Sequence, residues 1–171
     1  MAVRTHHEHH PHGDSPCTHA KDQSRRAPDA LARAERECRA HGARLTPIRR
    51  QVLEALYATH RPLGAYDIAE FLLRTGRQLA PITIYRALEF LIEQGLVHRL
   101  ASRNAFIACP HGHRPDDLVA FLICERCGGV DELSSAPLSD ALSHLLSAER
   151  FKPHMQVLEI SGQCAHCREL S

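Results

Sequence analysis

Two cysteine pairs carry the clearest chemical signal in the chain. Cys124-x-x-Cys127 and Cys164-x-x-Cys167 use four of its seven cysteines, and fourteen histidines accompany them in 171 residues. In a reducing compartment such pairs serve metal binding more readily than disulfide formation, and four thiolates suit one tetrahedral zinc ion at about 2.3 Å. Four sulfurs leave no open coordination position, so that ion would fold its surroundings and not catalyse. The 36 residues between the pairs exceed a plain zinc ribbon, so further elements have to be stapled between them. The competing chemistry is a thiol switch, in which the pairs close as reversible disulfides and eject the metal.

A second, looser set mixes nitrogen, sulfur and oxygen ligands, which also suits zinc. It comprises His98, Cys109, His111, His113, Asp116, Asp117 and Glu132. Each of these alone reads as an ordinary surface residue. Together they are spread over three segments, so an ion held by them would fix the angle between two parts of the molecule.

The segments that position these residues follow from periodicity and capping. Asp29–His41 is rich in strong helix formers and stops at Gly42. Thr46-Pro47 supplies an N-cap and a first-turn proline for a helix carrying Ile48, Val52, Leu53 and Leu56 to about Ala58. Ala65–Arg74 repeats the pattern with Ile68, Ala69, Leu72 and Leu73, and ends before Gly76. Pro81 opens a further helix in which Ile84, Leu88, Leu91 and Ile92 form the expected buried stripe, closed by Gly95. Leu96–Leu100 and Ala105–Ala108, separated by Ser102-Arg103-Asn104, read as a β-hairpin. Helices followed by a hairpin spell a winged helix-turn-helix. In the second half, Leu118–Cys124 and Gly129–Leu133 read as strands around the first cysteine pair. Pro137 opens a helix with Leu138, Leu142, Leu145 and Leu146 on one face, and Met155–Ser161 alternates as a strand into the second pair.

On a helical wheel anchored at Ile84, Arg86 falls at about 200° and Thr83 at about 260°, both away from the core. An exposed Arg on the second helix of such a motif is placed to reach a guanine edge in the major groove. Thr83 and Tyr85 could hydrogen-bond phosphates, Tyr66 could meet a thymine methyl or a phosphate, and Arg49, Arg50, Arg61 and Arg103 add charge along the backbone. Charge balance agrees: residues 25–103 carry fourteen basic and eight acidic side chains, whereas residues 104–171 carry five and nine, within a net charge of +1. The basic half is the one suited to a polyanion.

Other classes fit poorly. The longest apolar run, Leu118–Cys124, is far below the roughly 20 residues of a membrane span. The polar first 28 residues are not those of a secretory signal, so a cytoplasmic location is expected. No His-Glu-x-x-His helix is present, and nothing suggests a substrate pocket beside an open metal site, so the chain reads as a non-enzyme. Residues 1–28, with His6, His7, His9, His10, His12 and His19 among Pro and Gly and almost no apolar side chains, read as a disordered tail that could weakly buffer metal.

The runs RLTPIRRQVLEAL, AYDIAEFL, PITIYRALEFLIEQGLVHRL and FLICERCGGVDEL resemble the ferric uptake regulator superfamily, over roughly Ala30 to Cys167, and look most like its zinc-sensing branch. The resemblance implies an α+β fold: an N-terminal winged helix-turn-helix DNA-binding domain, then a small α/β dimerisation domain stapled by a four-cysteine zinc site. The expected layout is a tail over 1–28, the winged helix over 29–108, a hinge over 109–117 and the dimerisation domain over 118–171. It further implies a homodimeric, zinc-dependent repressor of zinc-uptake genes on a palindromic AT-rich operator, with one structural and one regulatory zinc per chain. Pairing of two dimers on one operator stays an open option. Tyr66 and Arg86 match the family's base-contacting residues, and Cys124, Cys127, Cys164 and Cys167 its structural ligands. His98, Cys109 and Glu132 match three of four regulatory ligands of the zinc-sensing branch. The family's fourth, a His, falls on Asp117, which leaves Asp117, His113 or His111 to complete the set. The His-rich run of iron sensors reads Leu118-Val119-Ala120-Phe121 here, so a third site would rest on His154 and nearby acids. An iron- or peroxide-sensing regulator is the alternative within the superfamily, and Cys109 at the sensing position argues against it.

Overall fold

A computed structural model describes residues 18–109, 118–153 and 156–169. His111, His113, Asp116, Asp117 and His154 lie outside the described residues, as does most of the His-rich tail. Four helices come first: α1 (Thr18–Ala40), α2 (Pro47–Tyr57), α3 (Ala65–Arg74) and α4 (Pro81–Glu93). The tail reading therefore needs a correction, because α1 begins at Thr18 and runs through Pro28 without a break. Low apolar content signals that a segment buries little. It does not forbid a helix where Ala, Lys, Gln and Arg predominate.

Local chemistry sets the boundaries. Gly42 takes a left-handed φ of 68° after α1, and the Ala43 amide closes onto the Cys38 carbonyl at 2.8 Å. Thr46 caps α2 ahead of Pro47. Asp67 caps α3 from within, its carboxylate accepting the Gly64 amide at 2.8 Å. Pro81 starts α4, and Gly95 ends it with φ 68°.

The four helices share one core. Ala30, Ala34 and Cys38 of α1 meet Val52, Leu53 and Leu56 of α2, Ile68 and Leu72 of α3, and Ile84, Leu88 and Leu91 of α4. Ile92, expected in the buried stripe, is 37% exposed. It sits at the edge of the α4 arc, where the packed layer ends.

Strands β1 (Val97–Leu100) and β2 (Ala105–Ala108) form the antiparallel hairpin, with His98 opposite Ile107. A single 3-10 turn, Ala101–Arg103, joins them, and Asn104 takes the left-handed position at φ 46°. Leu63, between α2 and α3, adds a bridge to Phe106. The hairpin is thereby tied to the helices as a wing.

The second half contains β3 (Val119–Cys124), β4 (Val130–Leu133), α5 (Ala136–Ala148), β5 (Val157–Gly162) and α6 (Ala165–Glu169). The sheet order is β4-β3-β5, with β4 antiparallel and β5 parallel to β3. Leu100 and Ile107 of the wing pack with Val119, Phe121, Ile123 and Val130 of this sheet. That small core seats the wing on β3. In contrast, no residue of α5 is fully buried, and Leu145 is 63% exposed. Val157, Leu158 and Ile160 of β5 are exposed as well. The leucine face read from the sequence exists, but nothing within the described chain covers it.

Candidate metal centres and nucleic-acid interface

The first cysteine pair lies at the end of β3 and in the turn before β4, the second between β5 and α6. Because β5 runs parallel to β3, both strands deliver their pairs to the same end of the sheet. The ligand atoms of Cys124, Cys127, Cys164 and Cys167 all lie within 4.8 Å of one another. Cys127 Sγ and Cys164 Sγ are 4.0 Å apart, close to the roughly 3.8 Å edge of a tetrahedron with zinc–sulfur bonds near 2.3 Å. Backbone amides point at the sulfurs: Gly129 N–H to Cys127 Sγ and Cys164 N–H to Cys124 Sγ, each at 3.4 Å. Gly128 makes the knuckle possible, with φ 73° and its amide bonded to the Cys124 carbonyl at 2.9 Å.

Electrostatics separates the four sulfurs. Burial raises the Cys124 thiol, yet hydrogen bonds from the amides of Cys127, Cys164 and Arg126 outweigh it and bring the pKa down to about 6. Burial pushes Cys167 up to about 11, helped by its hydrogen bonds with Cys164 and Cys124. One sulfur is thus prepared as a thiolate and another needs a cation to release its proton. The donor set, spacing and amide bonds all fit zinc.

The second cluster is built from three elements' worth of chain: His98 on β1, Cys109 directly after β2, and Glu132 on β4. Their ligand atoms also lie within 4.8 Å of one another. Cys109 Sγ is 3.6 Å from Glu132 Oε1, and His98 Nε2 is 3.7 Å from Glu132 Oε2. Cys109 is fully buried and the Glu132 side chain is 7% exposed. The Phe121 ring lies 5.1 Å from the imidazole, centroid to centroid, and holds its tilt. A carboxylate, a thiol and an imidazole converging in so dry a place offer one oxygen, one sulfur and one nitrogen ligand to a single ion, so this site too fits zinc.

Two side chains that the sequence does not reveal brace this cluster. Tyr57 Oη donates to the Cys109 carbonyl at 2.9 Å, and Arg33 Nη2 donates to the same oxygen at 3.2 Å. Burial pushes the Tyr57 hydroxyl up, so it stays a donor. The helical spacing around Tyr57 marks it only as core, and its partner is 52 positions away.

On the helices, Tyr85 and Arg86 of α4 are exposed, Thr83 is half-buried, and Tyr66 near the start of α3 is 72% exposed. Arg49 is different. Its guanidinium lies 3.4 Å from the Phe90 ring centroid, and Nη1 donates to the Arg44 carbonyl at 2.7 Å. In this structure the side chain ties α2 to α4 through a cation–π contact. Arg50 likewise pairs with Glu54 and Glu35. Arg61 lays its stem against Gly128 of the cysteine knuckle.

These features define a winged-helix protein whose second unit is a small α/β sheet ending in a four-cysteine cluster. The model of the ferric uptake regulator family matches residues 40–161, and the chain belongs to that family. It is 37% identical to the zinc uptake regulation protein of Escherichia coli K12 over 142 residues, 83% of each chain. It is also 30% identical to the peroxide operon regulator of Bacillus subtilis 168 over 131 residues, covering 74% of this chain and 85% of the relative. Among solved structures, a zinc uptake regulator complexed with zinc and DNA superposes with a TM-score of 0.78 at 36% identity, covering 84% of this chain and 96% of the other. Holo XcZur superposes at 0.75 and 39% identity, covering 82% and 98%.

Proposed function

We propose that this chain is a zinc-responsive, DNA-binding transcriptional repressor of zinc-uptake genes. The observation that carries the reading is the His98–Cys109–Glu132 cluster, which joins the wing to β4 of the second sheet. His98, Cys109 and Glu132 would hold a regulatory zinc, with His113, Asp117 or His111 as the fourth ligand. Cys124, Cys127, Cys164 and Cys167 would hold a second, structural zinc. Bound zinc supplies a compact positive charge that cancels the buried carboxylate and thiolate and fixes their separation.

Residues 29–108, with the front of α1, then act as the DNA-reading unit, 109–117 as the hinge and 118–171 as the dimerisation unit. The exposed leucines of α5 and the apolar outer face of β5 support a homodimer, because a second copy would cover them. In that dimer two copies of α4 enter successive major grooves of a palindromic AT-rich site. Arg86 reads a base edge, Tyr66 meets a base or phosphate, and Thr83 and Tyr85 contact the backbone. The cytoplasm is the compartment in which such a reader meets DNA and keeps its thiols reduced. Among described residues no helix is long and apolar enough to cross a membrane.

The thiol in the sensing cluster favours zinc over the iron or peroxide alternative, since hard, oxygen-rich sites suit ferrous ions better. The test uses a duplex selected from a random pool by the zinc-loaded protein, followed by fluorescence anisotropy. Buffered zinc is expected to tighten binding, with ferrous iron and manganese far weaker and peroxide without a separate effect. Loss of the Arg86 base contact in Arg86→Ala should weaken binding by on the order of tenfold or more while leaving zinc content unchanged. Ferrous iron acting as well as zinc would overturn the metal assignment.

A further inference from the structure

The wing is held at its base by the His98 cluster, and a separate contact holds its tip. Glu159, on the edge strand β5, reaches the 3-10 turn of the wing. Its Oε1 accepts the Ala101 amide at 2.7 Å, Oε2 accepts the Ser102 amide at 3.2 Å, and the Ser102 hydroxyl also donates to Oε2. One carboxylate therefore satisfies two amides at the open end of a helical turn, where the turn itself supplies no acceptor. The two halves of the contact are 58 positions apart for Ala101. Between tip and base, Leu100 is fully buried against Val119, Phe121 and Ile123 of β3, so the wing meets the second sheet at these points while Ala101–Asn104 stay exposed.

We propose that Glu159 is a metal-independent latch that holds the wing in the DNA-competent position, sharing that task with the regulatory zinc. This rests on the functional reading above. The direction of the effect follows from the arrangement itself, because the chain superposes with a TM-score of 0.78, over 84% of its length, on a zinc uptake regulator complexed with zinc and DNA. A latch present in that arrangement stabilises it. A regulatory zinc held by His98, Cys109 and Glu132 would add to a wing position that Glu159 already favours, and by linkage the latch would tighten that site. Ser102 and Ala101 belong to the element bearing Arg99 and Arg103, so freeing the tip also frees the charges that would follow the minor-groove edge.

Electrostatics alone predicts the opposite sign. A carboxylate beside a wing that approaches phosphates repels them, so removing it would raise DNA affinity. Glu159→Ala and Glu159→Gln therefore separate the two ideas. The experiment measures zinc-saturated full-length protein against the pool-selected duplex, alongside amide hydrogen exchange at Ala101 and Ser102 without DNA. The latch predicts faster exchange at both amides, DNA affinity lowered by about tenfold in Glu159→Ala, and a smaller loss in Glu159→Gln, since charge-assisted bonds outweigh neutral ones. Regulatory zinc affinity falls in parallel, while the four-cysteine zinc stays at one per chain. Ser102→Ala, combined with Glu159→Ala, should add almost nothing to the single variant. Unchanged exchange, or DNA affinity that stays level or rises, overturns the latch. If wild-type affinity for the duplex ignores zinc, the sensor reading fails, yet the exchange rates and the sign of the Glu159 effect still decide the latch.

Discussion

Replacing Cys124 by Ser is expected to remove the tightly held zinc and, with it, the folded state of the second half of the chain. Structural zinc in small domains contributes on the order of 10–16 kcal/mol, more than a sheet of three short strands can supply by packing. The local core around the four cysteines consists of the cysteines themselves, so no apolar cluster remains there once the ion leaves. Two of the sheet's strands end in this site, β3 at Cys124 and β5 just before Cys164. Losing the ion unties them at that end. Zinc analysis and circular dichroism should therefore show one zinc fewer per chain, partial loss of strand signal and a lost dimer. The helical signal should persist, because the four-helix core is a separate cluster. A Cys124→Ser protein that keeps its dimer and its strands without that zinc would show that the site is not the staple described.

Removing a ligand from the second cluster should do something quite different. His98→Ala and Cys109→Ser are expected to leave fold, dimer and one zinc per chain intact, and to weaken the regulatory zinc at least a hundredfold. Loss of an outer partner of a metal ligand already costs 10- to 100-fold, and these residues are the ligands themselves. DNA affinity at intermediate zinc should fall by the coupling factor, about 5- to 150-fold for a typical two-site linkage. Cys109 carries the larger risk to the fold, because its carbonyl anchors Tyr57 and Arg33. Serine keeps that backbone in place, which is why it is preferred over a bulkier substitution. Calorimetry for zinc and anisotropy for DNA measure the two effects separately. Equal affinity for the second zinc in wild type and His98→Ala would remove His98 from the site.

Much of this arrangement is legible in the sequence because it is written locally. Pro47, Pro81, Gly42, Gly76 and Gly95 mark helix ends through backbone geometry that no distant contact alters. The two Cys-x-x-Cys turns announce their chemistry by spacing alone. Even His98, Cys109 and Glu132 can be named as one ligand set, although only the fold brings Cys109 and Glu132, 23 positions apart, within 3.6 Å. What stays hidden is long-range and polar. Tyr57 and Arg33 look like an ordinary core aromatic and a surface cation until Cys109 folds beneath them. Glu159 sits in an alternating strand like any solvent-facing acid. Arg49 shows the same limit: positive charge on a helix suggests phosphate, and the sequence does not reveal that the guanidinium also lies over the Phe90 ring. The start of α1 is missed since composition reports burial and not helicity. The apolar face of α5 is correctly patterned, but nothing among the described residues covers it.

The central claim is that zinc bound between wing and second sheet governs DNA binding. Its most direct measurement is a chelator-buffered zinc titration of the wild-type protein in which bound zinc per chain and affinity for the selected duplex are read on the same samples. The account predicts weak binding at one zinc per chain and tight binding that rises as the second loads, with the duplex in turn strengthening that second zinc by the same factor. Full affinity for the duplex at one zinc per chain would contradict it.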